Sequence, residues 1–223
     1  MPTSRYERAA REQGFRIVAG VDEVGRGALF GPVFAAAVVL DPARGIKGLD
    51  DSKALEPERR ELLHGRICER AVAWAIGASD AFEIDRVNIL QASRLAMKRA
   101  VERLAISCDY LLIDALRIDL PVAQKPLIHG DSLSFSIAAA SIVAKVERDR
   151  AMRAWDQVFP EYGLASNKGY STPDHLSALE RLGSTPMHRF SFAPVRAVDR
   201  SNAAWTGYPQ PRPAQQEELF ACH

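Results

Sequence analysis

Residues 17–27 read Ile17-Val18-Ala19-Gly20-Val21-Asp22-Glu23-Val24-Gly25-Arg26-Gly27. The first five are small or β-branched, which is typical of a strand that is buried on both faces of a sheet. Asp22 and Glu23 then interrupt the run, and burying their charges beside a sheet core is costly unless something compensates them. A divalent cation is the natural compensation, because hard cations take carboxylate oxygens as ligands.

Neighbouring side chains on a strand point to opposite faces of the sheet. Asp22 and Glu23 can therefore reach one ion side by side only if the strand ends or twists at this point. Gly25 and Gly27 favour such a break. Taken alone, the segment is equally compatible with a strand that is followed by a polar, solvated turn.

Length, charge and cysteine content bound the class of protein. The chain has 223 residues, enough for one large domain or for one domain with an appendage. Its formal net charge is +1, so any nucleic-acid binding would come from a local basic patch. Three widely spaced cysteines fit a reducing compartment, and we expect a cytoplasmic protein. We find no signal peptide and no membrane-spanning run, and we expect a monomer.

The hydrophobic pattern predicts an α/β domain with a mixed five-stranded sheet flanked by helices, followed by a small C-terminal helical appendage. Strands are predicted at 15–24, 33–40, 71–78, 110–114 and 126–129, the first two antiparallel. Helices are predicted from Pro57 and at 83–106, 134–155 and 173–182. We divide the chain into a main domain at 1–150, an appendage at 151–196, and a disordered tail at 197–223 that is rich in Pro, Gln and Glu.

Four carboxylates stand at predicted strand ends, namely Asp22, Glu23, Asp114 and Asp131. Strand ends of an open α/β sheet converge on the crevice where ligands bind, and four acids gathered there would repel one another unless cations lay between them. Two Mg²⁺ or Mn²⁺ ions would satisfy such a group, whereas zinc is disfavoured because no His/Cys cluster accompanies the acids. Taken singly, Asp131 is also explained as a helix cap and Asp114 as a turn residue.

These acids belong to a set of ordered motifs that resembles bacterial ribonuclease HII. The motifs are Asp22-Glu23-Val24-Gly25-Arg26-Gly27, Asp51-Ser52-Lys53, Ile113-Asp114, Gly130-Asp131, the segment 138–149 and Lys168-Gly169-Tyr170. The resemblance implies an RNase H-like fold and two-metal hydrolysis of the RNA strand in RNA/DNA hybrids. It also implies incision on the 5′ side of single ribonucleotides embedded in duplex DNA, which leaves 3′-hydroxyl and 5′-phosphate ends. Type III relatives carry an additional N-terminal domain, so the short segment before the first strand favours type II.

The resemblance assigns a role to each motif residue. Asp22, Glu23, Asp114 and Asp131 become the catalytic and metal-binding acids, for two Mg²⁺ or Mn²⁺ ions. The backbone of Gly25, Arg26 and Gly27 would read the 2′-hydroxyl, since glycine lets a chain approach a sugar closely, while Tyr170 would pack on the neighbouring sugar. Ser52 and Lys53 are expected to hold a phosphate. Without the resemblance, Arg26 is a solvated side chain and Tyr170 a loop aromatic that covers the core.

Other polar residues are weaker candidates. Lys145, Arg148, Lys168 and Arg189 are considered as phosphate contacts, although isolated basic residues are commonly plain surface charge. His188, a lone histidine near a proline-rich turn, is expected to be structural.

The C-terminal segment Gln216-Glu217-Glu218-Leu219-Phe220 resembles the short peptide that bacterial proteins insert into the sliding clamp. A disordered segment with two apolar anchors suits such capture. Glu217 departs from the apolar residue preferred there, and a frayed end is the alternative.

Three functions are compared. The first is a type II ribonuclease H that acts in ribonucleotide repair and RNA primer removal. The second is a binding module that uses the fold without cutting, since fold does not dictate function. The third is a junction resolvase or a type I ribonuclease H, which the adjacent Asp22-Glu23 pair and the Gly-Arg-Gly turn disfavour. The intact acids and glycines favour the first.

Overall fold

A computed structural model describes residues 2–50, 52 and 54–198. Its strands are β1 (Val18–Val24), β2 (Val33–Val39), β3 (Ala73–Ser79), β4 (Tyr110–Asp114) and β5 (Ala123–Leu127). Its helices are α1 (Arg5–Glu12), α2 (Pro57–Arg70), α3 (Ala81–Glu102), α4 (Phe135–Val158), α5 (Leu164–Asn167), α6 (Pro173–Leu182) and α7 (Ala193–Val198). Two single 3₁₀ turns lie at Gly130–Ser132 and Pro160–Tyr162.

The strands form one mixed sheet in the order β3-β2-β1-β4-β5, with β1 at its centre. β1 runs antiparallel to β2, as predicted, with Val21 opposite Ala37. It runs parallel to β4, with Val21 opposite Ile113. β3 pairs antiparallel with β2, and β5 pairs parallel with β4. The mixed five-stranded sheet predicted from the sequence is therefore confirmed.

Helices cover both faces of this sheet. On one face, Ala138, Ile142 and Val143 of α4 pack with β2 and with Leu63 of α2. A Cβ atom at Gly20 of β1 would lie 2.1 Å from the carbonyl carbon of Ser136, so only glycine lets α4 approach this closely. The small residues of α4 therefore bring the helix directly over the central strand.

On the other face, α3 packs its small residues and Met97 against the alanines of β1 and β2. We expected the segment 83–106 to be mainly helix. In the structure, α3 begins after Asp80, whose side chain accepts a hydrogen bond from the backbone N–H of Glu83 in a capping box. It bends at Asn88, where φ is 67°. The Asn88 side chain accepts hydrogen bonds from the backbone N–H groups of Leu90 and Gln91, which restarts the helix.

Two details of the predicted elements are wrong. β5 ends at Leu127 instead of covering 126–129, because Ile128 is 74% exposed and His129 has a left-handed φ of 56°. β5 is an edge strand with a polar sequence, which apolar patterning does not detect. Leu62, expected on the apolar face of α2, is 48% exposed.

The part of the chain after residue 150 packs around the end of α4. We call its core the C-terminal cluster: Leu29, Phe30, Met152, Tyr162, Leu164, Ala178, Leu179 and Val195. α4 itself passes through the predicted boundary at 150, and the division there stays a prediction. Of the predicted tail, 197–198 end α7 and the rest lies outside the described residues. Within the described ranges, every helix is too short or too polar to cross a bilayer.

Candidate active site

Parallel pairing brings two of the predicted acids to one edge of the sheet. The register of β1 with β4 ends at the pair Val21–Ile113, and Asp22 and Asp114 are the next residues of their strands. Asp22, Glu23 and Asp114 each place one carboxylate oxygen within 4.8 Å of those of the other two. Three of the four predicted acids thus form one group.

Asp22 and Glu23 share this group although β1 does not end between them. The strand continues to Val24, and Glu23 is paired with Ala35 of β2. Of the two expected possibilities, that the strand ends or twists at the acids, the first does not occur, because the strand ends at residue 24 as predicted and the turn begins only at Gly25. The register with β4 has already ended at Val21, and the backbone N–H of Glu23 donates to Oδ1 of Asp22 at 2.8 Å. The carboxylates therefore converge where the register of β1 with β4 ends.

Asp131 lies beside this group on the 3₁₀ turn Gly130–Ser132 and is 8% exposed. The backbone N–H of Gly130 donates to Oδ1 of Asp114 at 2.7 Å, which ties the turn to β4. Asp131 is not the cap of α4, because Ser134 occupies that position and accepts from the N–H of Ile137. The charge of Asp131 contributes to the raised pKa of Asp22. The four acids therefore interact electrostatically, although only three form the compact group.

Burial makes the charged form of these acids unfavourable. The pKa of Asp22 is raised well above its usual value, first by burial and then by Glu23 and Asp114. Burial also raises the pKa of Glu23, against the opposing effect of Arg26, whose Nη1 lies 3.3 Å from Oε1 of Glu23. Oε2 of Glu23 is buried and has no hydrogen-bond partner among the described residues. Such repelling oxygens fit a site for divalent cations.

Ser52 lies behind Asp22 and is almost fully buried. It is 3% exposed, and its Oγ lies 2.9 Å from Oγ of Ser141, whose side chain also hydrogen-bonds Asp22. Arg60, which sequence analysis missed, donates from Nε to the carbonyl oxygen of Ser52. The Ser52 hydroxyl is thus engaged inside the protein. Asp51 and Lys53 of the same motif lie outside the described residues.

The Gly25–Gly27 turn follows the acids, and the residues directly after it contact the loop of Tyr170. Gly25 has φ of 91°, and a Cβ atom there would lie 2.1 Å from Nε of Arg148. A Cβ at Gly27 would meet nothing within 4 Å, and Arg26 is exposed. The backbone N–H of Leu29 donates to the carbonyl oxygen of Gly169 at 2.7 Å. The predicted sugar-reading turn and Tyr170 therefore lie on joined loops.

Two arginines considered as phosphate contacts are instead completely buried behind these loops. The guanidinium carbon of Arg148 lies 5.1 Å from the centre of the Tyr170 ring, and its three nitrogens have no hydrogen-bond partner among the described residues. Arg189 donates to the carbonyl oxygens of Arg26 and Gly31, and burial lowers its pKa to about 9. Both arginines support the loops from inside, which a basic residue in a sequence does not reveal.

His188 is buried and structural in its contacts, and it pairs with a histidine that sequence analysis missed. Nδ1 of His175 lies 2.9 Å from the carbonyl oxygen of Tyr170, so it carries the proton and donates. Nε2 of His175 then accepts from Nε2 of His188 at 3.2 Å, and Nδ1 of His188 accepts from the backbone N–H of Thr185. We call this chain the histidine relay. Burial lowers the pKa of both rings, that of His188 to about 3, which keeps them neutral.

Comparison with known proteins identifies relatives over most of the chain. A family model described as Ribonuclease HII matches residues 19–195. A ribonuclease HII from Solibacter usitatus is 63% identical over 194 residues, covering 87% of this chain and 85% of the relative.

Solved structures share the fold. Ribonuclease H2 from Pyrococcus horikoshii superposes with a TM-score of 0.71 at 26% identity, over 85% of this chain and all of that one. The ribonuclease HII of Archaeoglobus fulgidus, solved in a complex with PCNA, has a TM-score of 0.64 at 25% identity, over 74% of this chain and 88% of that one. The predicted RNase H-like fold is therefore confirmed.

Proposed function

The chain belongs to the ribonuclease HII family, and on that premise we propose that it cuts phosphodiester bonds at ribonucleotides by two-metal catalysis. Membership makes it a type II ribonuclease H, a hydrolase of RNA/DNA hybrids. The finer part of the proposal is incision on the 5′ side of single ribonucleotides in duplex DNA, which leaves 3′-hydroxyl and 5′-phosphate ends. This activity would serve ribonucleotide repair and RNA primer removal in the cytoplasm.

One observation carries the proposal: the three carboxylate oxygens of Asp22, Glu23 and Asp114 within 4.8 Å of one another. With Asp131 beside them, these acids would hold two Mg²⁺ or Mn²⁺ ions. Bound there, such ions activate water for attack on phosphorus and stabilise the leaving 3′-oxygen. Asp22 and Asp131 are buried, so these side chains would be held in fixed positions to bind the ions.

The Gly25–Gly27 turn would admit the ribose. The open space at Gly27 lets a sugar approach the backbone, whose polar groups can recognise the 2′-hydroxyl. Arg189 holds the carbonyl oxygen of Arg26 and so fixes the turn. Tyr170, half-buried with its ring over Arg148, is the aromatic surface proposed to pack on the next sugar.

The Ser52-Lys53 segment is proposed to hold a phosphate. Since the Ser52 hydroxyl lies against Ser141, this contact would come from Lys53 and from the backbone of the segment. Contacts to phosphate fix the register of a duplex without reading its sequence.

The experiment uses duplex DNA that carries one ribonucleotide, with Mg²⁺, Mn²⁺ or EDTA. We expect a nick on the 5′ side of the ribonucleotide that EDTA and Asp22→Asn abolish. Asp119→Asn, which alters a fully exposed carboxylate that is paired with Lys98, is the matched control and should cut normally. Binding without a nick in wild-type protein would support the binding module instead.

We also propose that the segment Gln216–Phe220 binds a sliding clamp. The support is the motif itself and the solved complex of the Archaeoglobus fulgidus relative with PCNA. The segment lies outside the described residues. Clamp affinity should fall when Leu219 and Phe220 are both changed to Ala, while nicking of a short duplex stays unchanged. Equal clamp binding by the variant would refute this part.

A further inference from the structure

We infer that Glu7, on the N-terminal helix α1, is a positioning residue that holds the Asp131 turn in its metal-binding place. Glu7 lies outside the matched residues 19–195, and it is 3% exposed. A buried carboxylate outside the sequence motifs needs a physical reason, because its charge is costly unless it is compensated. The inference rests on the proposed function, since it concerns the ligand Asp131.

The first observation is how Glu7 contacts the start of α4. Its Oε1 accepts a hydrogen bond from Oγ of Ser134 at 2.6 Å and another from the backbone N–H of Ser136 at 2.8 Å. Ser134 is the N-cap of α4 and its Oγ also accepts from the N–H of Ile137. A negative charge at a helix N-terminus is stabilised by the helix dipole and by N–H groups without helical partners. α4 therefore compensates Glu7, and Glu7 fixes Ser134.

The second observation is that the backbone before α1 grips the same point. The N–H of Thr3 donates to the carbonyl oxygen of Leu133 at 3.0 Å, and the N–H of Phe135 donates to that of Thr3 at 3.2 Å. These two bonds lie on either side of Ser134. The N-terminal segment therefore holds Ser134 through both its backbone neighbours and its side chain.

Ser134 in turn fixes the turn that carries Asp131. The backbone N–H groups of Leu133 and Ser134 both donate to the carbonyl oxygen of Gly130, at 3.0 and 2.8 Å. The N–H of Gly130 donates to Asp114 of the carboxylate group. Asp131 thus lies on a turn that is held by Asp114 at one end and by Glu7, through Ser134, at the other. Partners that hydrogen-bond metal ligands directly orient them, and their loss weakens metal affinity about 10- to 100-fold. Glu7 acts through Ser134, so we expect an effect at the lower end of that range.

The chemistry of the contact predicts an order among variants. Glu7→Ala removes the acceptor for both donors. Glu7→Gln keeps an acceptor oxygen but loses the charge, and its amide would replace Oε2, which is buried without a partner among the described residues. We therefore expect metal affinity to fall in the order wild type, Glu7→Gln, Glu7→Ala. Glu12→Gln, an exposed glutamate on the same helix, should bind as the wild type does.

The test is Mn²⁺ binding to the full chain by titration calorimetry, with melting temperature as a check of folding. We expect Glu7→Ala to raise the Kd about tenfold, and the Mn²⁺ concentration for half-maximal nicking to rise in parallel. If Glu7→Ala does not fold, Glu7→Gln decides, with a rise of a few-fold expected. A folded Glu7 variant with unchanged Kd would reduce Glu7 to a helix-stabilising role and overturn the inference.

Asp131→Asn separates this failure from failure of the proposed function. If wild-type protein binds Mn²⁺ and Asp131→Asn weakens it while the Glu7 variants do not, the metal site stands and the inference falls. If wild type and Asp131→Asn bind Mn²⁺ equally, Asp131 is not a ligand, and the inference falls while the proposed site at the other three acids stands. If wild-type protein binds no Mn²⁺ at all, the proposed metal site itself is refuted.

Discussion

The position of Asp22 in the fold disfavours the charged form of its carboxylate. Burial and the neighbouring carboxylates raise its pKa, so the folded chain binds more protons than the unfolded chain between the two pKa values. Stability therefore falls as the pH rises through this window. A bound cation would offset the unfavourable charge of Asp22. The residue would therefore serve metal binding at the expense of the stability of the metal-free protein.

Asp22→Asn should therefore stabilise the metal-free protein while abolishing cleavage. Asparagine keeps an oxygen to accept from the N–H of Glu23 but carries no charge. In EDTA we expect the melting temperature to rise by several degrees. With Mg²⁺ present, we expect the nicking rate to fall by more than the about 100-fold that loss of an outer partner costs. Mn²⁺ should raise the melting temperature of the wild type much more than that of Asp22→Asn. A lower melting temperature for the variant in EDTA would contradict this account.

The histidine relay predicts an acid-sensitive stability. His188 has a folded pKa of about 3 and an ordinary value of 6.5, so only the unfolded chain takes up its proton between these pH values. The contribution is complete above about pH 6.5 and is lost as the pH falls toward 3. Its slope is at most about 1.4 kcal/mol per pH unit. Urea unfolding from pH 7 to 5 should show a steeper loss for the wild type than for His188→Gln, and equal slopes would count against the relay.

At the scale of single residues, the sequence predicts the clustered acids better than it predicts the buried residues that hold the surrounding loops and turns in place. Asp22, Glu23 and Asp114 come together because each follows or lies within an apolar strand, a pattern visible in the chain. Glu7, Arg148 and His175 gave no such signal. Their partners are 127, 22 and 13 residues away, and only the folded chain brings them into contact.

At the scale of elements, the turn after β1 requires glycine at position 25 for two separate reasons. Gly25 has a positive φ, which disfavours any side chain, and its missing Cβ leaves room for the Arg148 guanidinium. Arg148 in turn lies against Tyr170. A side chain at 25 would therefore disturb both predicted sugar contacts together.

Gly25→Ala should cost much more than Gly14→Ala. Gly14 also has a positive φ, of 94°, but a Cβ there meets nothing within 4 Å. Gly14→Ala then carries backbone strain alone, about 1–2 kcal/mol of unfolding free energy, with normal nicking. Gly25→Ala adds the clash with Arg148, so we expect a larger loss of unfolding free energy in urea and little nicking. Equal losses for the two variants would show that the contact with Arg148 has no energetic weight.

The sequence predicts element boundaries well where apolar runs end sharply. It misses boundaries that depend on side-chain hydrogen bonds. β2 and α6 begin within a residue of expectation because proline and Thr172 mark them. The start of α3 depends on the reciprocal bonds of Asp80 and Glu83, and its bend on Asn88. The polar edge strand β5 has no hydrophobic period at all. Such boundaries can be predicted only when the hydrogen-bond partners are already known.

For the whole molecule, the sequence predicts the class of sheet but not its order. β1 and β2 are close in the chain and pair as expected, whereas β4 is distant in the chain and its pairing with β1 is seen only in the structure.

The predicted division at 150 falls within α4, and this helix contributes to the parts on both sides of it. Its first half packs on the sheet, and Met152 and Trp155 near its end pack in or against the C-terminal cluster. Phe30, from the loop before β2, also lies in that cluster.

We therefore expect the described parts on both sides of residue 150 to unfold in one cooperative transition. Trp74 packs against the α4 face of the sheet and Trp155 against the C-terminal cluster, so each reports on one part. Variants that keep only Trp74 or only Trp155 should show the same urea midpoint by fluorescence, coincident with far-ultraviolet circular dichroism. A lower midpoint for Trp155 alone would mean that 151–196 opens independently. Coincidence would mean that the Tyr170 loop is as stable as the sheet that carries the acids, as a preformed substrate cleft requires.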